Sequence, residues 1–362
     1  MLKLVAAPAC RTLTLTVTLT VGACGGASVP SASDASPPVL DAGPDADSAP
    51  PPPPPPPPPR PDAGATGPAL LSETGLYADI KTRTLAPGVF AYSVRFPLWS
   101  DAADKARYMW LPPGARIDTA AMDEWTFPEG TRAWKEFRVD GKLVETRVLW
   151  KRAAREGGSA WWMMAYAWRP DGSDADATVS GVPAAQGTSH DVPSQASCGP
   201  CHDDVRDALA GVGAIQLSEG LTLAKWAAEG RFTTTPPVDV TPPGAGAVQA
   251  ALGYLHGNCG HCHNERAPRL STQSPMRLRL LVGERDPKLT QIHRTTVDVK
   301  MQHVFPPDIT VAVAPGRPEK SELWVRMGLR DVNSMPPLGT KVVDDTGRAA
   351  VREWILGLGA PP

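Results

Sequence analysis

The stretches SQASCGPCHDD (residues 194–204) and GNCGHCHNE (residues 257–265) repeat one pattern, Cys-x-x-Cys-His. The chain has six cysteines, and four of them lie in these two motifs. Three uses compete for such a pattern: a zinc site, a redox dithiol, or covalent attachment of a c-type haem. Paired Cys-x-x-Cys zinc sites usually lie about 15–20 residues apart, closer than these motifs, and a redox dithiol leaves the histidine unexplained.

Haem attachment explains every position of the motif. Cysteines at i and i+3 at the start of a helix share one face, so both sulfurs can bond one porphyrin. The adjoining histidine then directs its imidazole at the iron as the proximal ligand. The sequence therefore predicts two covalent haem c groups, held by Cys198, Cys201 and His202 and by Cys259, Cys262 and His263.

The first 24 residues have the layout of a bacterial export signal. Lys3 and Arg11 precede a short run of Leu, Thr and Val, which is too short to supply the roughly 20 apolar residues of a membrane span. The run ends in VGAC at residues 21–24, which resembles a lipobox, in which the cysteine is lipidated. We therefore expect a lipoprotein signal peptide over residues 1–23 and a lipid on Cys24. An ordinary secretory signal is the alternative.

A lipid on Cys24 would tether the mature chain to a membrane, on the periplasmic side or at the cell surface. The next residues, Gly25 and Gly26, lack the aspartate that would suggest retention in the inner membrane, so the outer membrane is expected. Cys10 would leave with the signal peptide. Export agrees with haem attachment, because c-type cytochromes are assembled outside the cytoplasmic membrane.

Residues 24–66 have the composition of a disordered tether. They consist mostly of Ala, Ser, Asp, Gly and Pro, with ten consecutive prolines at 50–59. Such a segment lacks the apolar side chains that offset chain entropy, and the proline run predicts a polyproline II rod about 30 Å long. A stiff spacer between membrane and folded part is expected; an unselected low-complexity tract is the alternative.

Residues 67–182 have a strand pattern. Aromatic and β-branched stretches such as KARYMWL, AWKEFRVDG, KLVETRVLWKR and SAWWMMAYAW alternate with turn signals. Asp140-Gly141 predicts a hairpin turn, because this pair supplies the positive φ angles that the turn needs. The segment predicts an antiparallel β-sandwich-like domain and, with the helical remainder, an α+β fold.

Eight of the eleven tryptophans lie in this β segment. Such a cluster can bind sugar rings or dock a partner, but buried aromatic residues in a small β domain most often form its core. We expect a core role and keep an interface as the alternative. The eight are Trp99, Trp110, Trp125, Trp134, Trp150, Trp161, Trp162 and Trp168.

The remaining chain has helical patterns. Residues 183–247 carry the first motif and two short helical stretches, DVRDALAGV and LTLAKWAAEG, too short for a complete cytochrome fold. In residues 248–362, AVQAALGYLHGNCGHCHN runs into the second motif, NSMPPLG follows, and TGRAAVREWILGL is an amphipathic final helix. This segment resembles a class I cytochrome c, with a longer middle stretch at 297–327.

The resemblance implies a helix crossing and a distal ligand. In that family the first and last helices cross beside the haem, and a methionine in a proline-rich loop is the sixth iron ligand. This implies a crossing at Gly253, Tyr254 and Trp354, and Met335 as the ligand of the second haem. The rivals are Met276, Met301 and Met327, although a thioether in a core is ordinary.

The chain as a whole resembles a group of bacterial diheme c-type cytochromes that join a Trp-rich β domain to two Cys-x-x-Cys-His motifs. The resemblance rests on LSETGLYAD, FPLWSD, WTFPEGTRAWKEF, ETRVLW, YLHGNCGHCHN, APGRPEKSELWVRM and MPPLG, spread over residues 72–358. No reaction is firmly established for that group, so the resemblance implies an architecture and no substrate.

Two functions remain open on the sequence. The first is electron transfer through two haems to a redox partner protein. The second is a diheme oxidoreductase, peroxidase-like or a dehydrogenase subunit, with an open coordination site at the first haem. The formal charge of −2 does not favour a nucleic-acid partner, and no carboxylate pair stands out as catalytic.

The residues that follow the first motif do not include a distal ligand for the first haem. No methionine or histidine lies between Asp203 and Leu255. The ligand must come from elsewhere in the chain or be absent. His190 and His256 are the preferred candidates, because each lies close in sequence to a motif, and an open site is the alternative.

Overall fold

In the computed structural model, the described residues are 67–359 apart from 219, 221, 238–239, 268–273 and 303. The predicted signal peptide, Cys24 and the tether lie outside the described residues. Within the described part of the chain, no helix combines the length and apolar character that a membrane crossing needs.

The N-terminal part of the described chain is antiparallel sheet. A two-stranded ribbon precedes a six-stranded sheet whose strands neighbour one another in chain order. The ribbon is β1 (Tyr77–Asp79) and β2 (Thr84–Leu85); the sheet is β3 (Phe90–Ala91), β4 (Asp104–Trp110), β5 (Arg132–Val139), β6 (Lys142–Lys151), β7 (Trp161–Trp168) and β8 (Ala175–Thr178). The predicted hairpin turn between β5 and β6 is confirmed, with φ of 50° at Asp140 and 75° at Gly141.

The α+β class is confirmed, but within the described residues the sheet does not face a second sheet of its own size. On β7, Trp162 and Met164 pack under the ribbon and the segment before it, whereas Trp161 and Met163 pack against the helical part. Both faces of this strand are therefore buried, which is why WWMMAYAW lacks the polar alternation of a half-exposed strand. Helices and loops occupy the place that the sandwich prediction gave to a second sheet.

The expected core role of the tryptophans is confirmed for five of the eight. Trp125, Trp134, Trp161, Trp162 and Trp168 are at most 4% exposed. Trp99, Trp110 and Trp150 are half-buried. The Arg132 guanidinium stacks on the rings of Trp110 and Trp150, which keeps that part of the surface polar.

The helices follow the sheet in the chain. They are α1 (Gly199–His202), α2 (Ala214–Leu217), α3 (Thr222–Ala228), α4 (Gly246–Asn258), α5 (Gln291–Thr296), α6 (Glu322–Met327) and α7 (Asp345–Leu358). One cluster of buried side chains runs from Trp161 of the sheet through Trp226 of α3 to Leu252 of α4 and Trp354 of α7. The segments predicted at 67–182, 183–247 and 248–362 therefore share a core.

Helices α4 and α7 pack against each other, as the resemblance implied. The glycine at this contact is Gly347, whereas Gly253 was expected there. Gly347 of α7 lies against the ring of Tyr254, and a Cβ at Gly347 would overlap that ring. Gly253 instead accommodates Phe96, from the loop after β3. The close approach at Gly253 therefore joins α4 to the β part of the protein.

Candidate functional site

The two Cys-x-x-Cys-His motifs meet in the structure. The sulfurs of Cys201 and Cys262 and a ring nitrogen of His261 lie within 4.8 Å of one another. The Cys262 sulfur also lies 3.7 Å from the carbonyl oxygen of Pro200. Residues that are 61 positions apart in the chain therefore form one site.

The first motif is helical from its first cysteine. Cys198 has φ −69° and ψ −43° and leads directly into α1, so Cys198 and Cys201 are one helical turn apart on the same face. His202 is the last residue of α1. This backbone presents the two sulfurs and the imidazole in the order that the motif requires.

The imidazole of His202 is held in one tautomer. Its Nδ1 lies 2.6 Å from the carbonyl oxygen of Ala208, and because a carbonyl only accepts, Nδ1 must carry the proton. Nε2 therefore keeps its lone pair. Burial lowers the pKa of His202 to about 4. The ring is neutral at pH 7, which is the state that binds a metal ion.

The carbonyl of Ala208 is positioned by the sheet. Ala208 is fully buried and has a φ of 58°. This conformation costs a non-glycine residue energy and persists only where the surrounding structure enforces it. The neighbouring Asp207 carboxylate pairs with Lys151 Nζ at 2.6 Å and accepts from Trp161 Nε1 at 3.0 Å. It also accepts from the Phe127 backbone N–H at 2.7 Å. These bonds tie the loop that orients His202 to strands β6 and β7.

The second motif forms a turn at the end of α4. The Cys262 N–H donates to the carbonyl of Cys259 at 3.1 Å, and the His263 N–H donates to the same carbonyl at 2.8 Å. The His263 side chain is buried, and burial lowers its pKa to about 4. Its Nδ1 has no hydrogen-bond partner among the described residues. Burial raises the pKa of the Cys259 thiol to about 12, in keeping with apolar surroundings.

A pocket lies between the predicted ligands of the second haem. His263 and Met335 both line it, together with Tyr254 and Leu323. Its unfilled space, including the opening to solvent, is about 700 Å³. The structure thus brings together two residues that the sequence predicted as axial ligands.

Two of the rival methionines also line this pocket, and Met301 is not among the lining residues. Met276 belongs to the segment that pairs with His263, since the Leu278 N–H donates to the His263 carbonyl at 2.8 Å. Met276 is therefore on the side of the proximal ligand. Met327 ends α6, and the Met335 N–H donates to Arg326 in that helix at 3.0 Å.

A loop from the β part forms one wall of this pocket. Trp99 lines it, and its backbone N–H donates to Asn258 Oδ1 at 2.7 Å. Its indole N–H donates to the Val342 carbonyl at 2.9 Å. Asp101 accepts from Thr340 Oγ1 at 2.6 Å and from the Val342 N–H at 2.9 Å. The loop therefore joins the end of α4 to the chain after Met335, a link that the sequence did not predict.

The two histidines predicted as distal ligands of the first haem are already engaged. His190 is buried, and its Nε2 lies 2.7 Å from Glu145 Oε2. His256 Nδ1 accepts the Leu280 N–H at 3.0 Å, and burial lowers the pKa of this histidine to about 3. The neutral His256 ring then carries its proton on Nε2, so neither nitrogen has a free lone pair while this bond is kept.

The residues of the two motifs fit haem better than zinc. Cys201, His261 and Cys262 form a three-ligand group, and the described residues supply no fourth ligand to it, whereas structural zinc takes four. A zinc ion there would leave Cys198, Cys259 and both motif histidines unused. The helical Cys pair of the first motif, the Cys pair in the turn after α4, two neutral imidazoles and a largely apolar pocket fit covalent haem.

No protein-family model, curated protein or solved structure matches this chain. The assignment of a function therefore rests on the motifs and on the geometry around them.

Proposed function

We propose that this protein is an exported, membrane-tethered diheme c-type cytochrome that transfers electrons. The proposal includes membership of the bacterial diheme group that the sequence resembles, and a lipid anchor at Cys24. The observation that carries it is the convergence of the two motifs at Cys201 and Cys262. Each haem, when bound, supplies an iron that takes up and releases one electron.

At the second site, Cys259 and Cys262 would hold the porphyrin, and His263 and Met335 would bind the iron. The support is that both side chains line one pocket whose exposed surface is mostly apolar. Loop residue Trp99 covers one wall and limits the access of water. Met/His ligation favours ferrous iron, so this centre has the higher potential.

At the first site, Cys198 and Cys201 would hold the porphyrin and His202 would bind the iron. The hydrogen bond from His202 Nδ1 to Ala208 fixes the tautomer and the direction of the ring. Such an outer hydrogen bond also raises the basicity of the ligating nitrogen. The role of Ala208 is therefore to position His202.

The contact between the motifs supports transfer between two centres within one chain. Cys201 and Cys262 are the second cysteines of their motifs, and their sulfurs lie within 4.8 Å. Groups attached to these sulfurs are joined by a short path through protein. A path of this kind serves a carrier that accepts an electron at one site and passes it on at the other.

A second candidate function is a diheme oxidoreductase with an open site at the first haem. The observation that favours it is that His190 and His256 both use a ring nitrogen in other hydrogen bonds. If neither supplies the distal ligand, the first iron can bind an exogenous molecule. The residues that would act on such a molecule are not singled out by the geometry.

Redox titration of the purified full-length protein, with electron paramagnetic resonance of the oxidised form, tests the proposal. A carrier should show two one-electron transitions and low-spin signals that peroxide and cyanide leave unchanged. A high-spin signal that shifts with either ligand would support the oxidoreductase instead. The variants His190→Gln and His256→Gln then show whether either histidine contributes to a low-spin first haem.

A further inference from the structure

One face of the sheet carries a row of three cationic side chains beside the first motif. Arg107 of β4 is the register partner of Lys135 in β5, and Lys135 is the register partner of Arg147 in β6. Residues directly opposite in adjacent strands have side chains on the same face, and like charges in that position destabilise a sheet. A row of three therefore needs compensation.

A carboxylate on this face, that of Glu145, compensates one end of the row. Glu145 pairs with Arg147 Nε at 2.6 Å and is shared with His190 at 2.7 Å. Across the described residues, neither Arg107 nor Lys135 has a carboxylate within the 4.0 Å of an ion pair. Two of the three cations are therefore left without an anionic partner.

The environment of the row makes this imbalance costly. Burial, followed by repulsion from Arg147, Arg107 and Lys105, lowers the pKa of Lys135 to about 7. Burial also lowers the pKa of Arg107. The side chains flanking the row on one side are apolar and supply no counter-charge: Met109, Ala133, Leu149 and Met163.

The row lies at the first motif. Gln195, three residues before Cys198, donates from its side-chain amide to the Met163 carbonyl of β7 at 2.9 Å. Cys198 packs against the apolar cluster that contains Leu149 and Met163, which flank the row on this face. All three cations are partly open to solvent, so a ligand can reach them. A group attached at the first motif would therefore have its anionic parts within reach of the row.

We propose that Arg107, Lys135 and Arg147 form a carboxylate-binding site that holds the propionate groups of the first haem. The inference rests on the proposed function, since it requires haem at Cys198 and Cys201. Haem carries two carboxylates, and charge-assisted hydrogen bonds from Arg and Lys to carboxylates are about twice as strong as neutral ones. The propionates would thus supply the negative charge that Arg107 and Lys135 do not receive from the described residues of the protein.

The site also sets the potential of the first haem. Ferric haem carries one more positive charge than ferrous haem, so nearby cations destabilise the ferric form and raise the potential. In Lys135→Gln we expect the equilibrium to shift about tenfold towards ferric haem, which is about 59 mV for one electron. The second haem is attached at the other motif, through Cys259 and Cys262, and its potential should not change.

The test uses the full-length holoprotein with Lys135→Gln and Arg107→Gln, and Arg138→Gln as the matched control. Arg138 lies on the same strand as Lys135 but on the opposite face, where its charge acts on Tyr108. Infrared difference spectra with ¹³C-labelled propionates report the contact directly. Both site variants should shift the carboxylate bands and lower the first potential, and the control should change neither.

Four outcomes would overturn the inference. Unchanged carboxylate bands in both site variants would show that the propionates do not contact Lys135 or Arg107. Equal shifts in Arg138→Gln would show that the effect is not specific to this face of the sheet. A change of spin state in Lys135→Gln would make the lysine an iron ligand. A first potential that follows acetate concentration at constant ionic strength would assign the site to a dissolved anion. A protein without haem by mass instead contradicts the proposed function, so the two failures are distinguishable.

Discussion

His202 Nδ1 lies 2.6 Å from the carbonyl oxygen of Ala208, a residue that the sheet holds with a positive φ of 58°. This hydrogen bond links the orientation of a proposed iron ligand to the packing of the β part. The loop is in turn anchored by Asp207, which bonds to side chains of two strands. The sheet therefore helps to orient His202 by anchoring the loop that contains Ala208. This contribution is separate from the row of cations on the surface of the sheet.

Replacing Asp207 with Ala should strongly destabilise the protein. The substitution leaves the ammonium of Lys151, which is 1% exposed, without its partner. Breaking such a buried pair costs about 3–5 kcal/mol. Urea denaturation measures the loss. The control is Asp176→Ala, which breaks a solvent-exposed pair with Arg169 and should change stability only slightly. Equal losses in the two variants would show that Asp207 is not an anchor.

Replacing Met335 with His should lower the potential of the second haem, because imidazole stabilises ferric iron more than a thioether does. The weak sulfur-to-iron absorption band at the red end of the oxidised spectrum should disappear. Met301→Leu is the matched control, since Met301 is buried but does not line the pocket. Persistence of the band in Met335→His would transfer the ligand role to Met327.

Replacing Gly347 with Ala should destabilise the α4–α7 contact, because the new methyl group would overlap the Tyr254 ring. Overpacking of this kind typically costs about 1–3 kcal/mol. Gly357→Ala on the same helix is the control, since a Cβ there meets no other atom within 4 Å. Alanine should be neutral or stabilising by up to about 1 kcal/mol at that position. Denaturation curves of the two variants should therefore move in different directions or by clearly different amounts.

Replacing Cys24 with Ser should release the protein from the membrane fraction, because a serine cannot carry the thioether-linked lipid. The measurement is the distribution of the protein between membrane and soluble fractions in cells, with the wild type alongside. A variant that stays membrane-bound and is processed normally would show that the lipobox prediction is wrong.

The local features of the fold could be predicted from the sequence. The Asp140-Gly141 turn, the final helix and the buried tryptophans each depend on neighbouring residues or on composition, and the structure confirms them. The sandwich prediction failed in its second layer, because an apolar strand such as β7 does not specify whether a sheet or helices cover it. The resemblance implied Gly253 at the helix crossing, whereas Gly253 lies against Phe96, because a glycine permits a close approach without specifying the partner.

The long-range features of the site could not be predicted. The bond between Lys151 and Asp207 spans 56 positions, and the row from Arg107 to Arg147 exists only because of strand register. No local pattern marks Ala208 as the acceptor for His202. The motifs themselves were visible because their residues are close together in the chain, whereas the contact between the motifs depends on the whole fold.

The mass of the denatured mature protein, produced in cells that attach haem c, tests the central claim most directly. We predict the apoprotein mass plus two haems for the wild type. The double substitutions Cys198→Ala with Cys201→Ala and Cys259→Ala with Cys262→Ala should each retain one haem. A wild-type protein that carries no covalent haem, or that carries zinc in its place, would contradict the account.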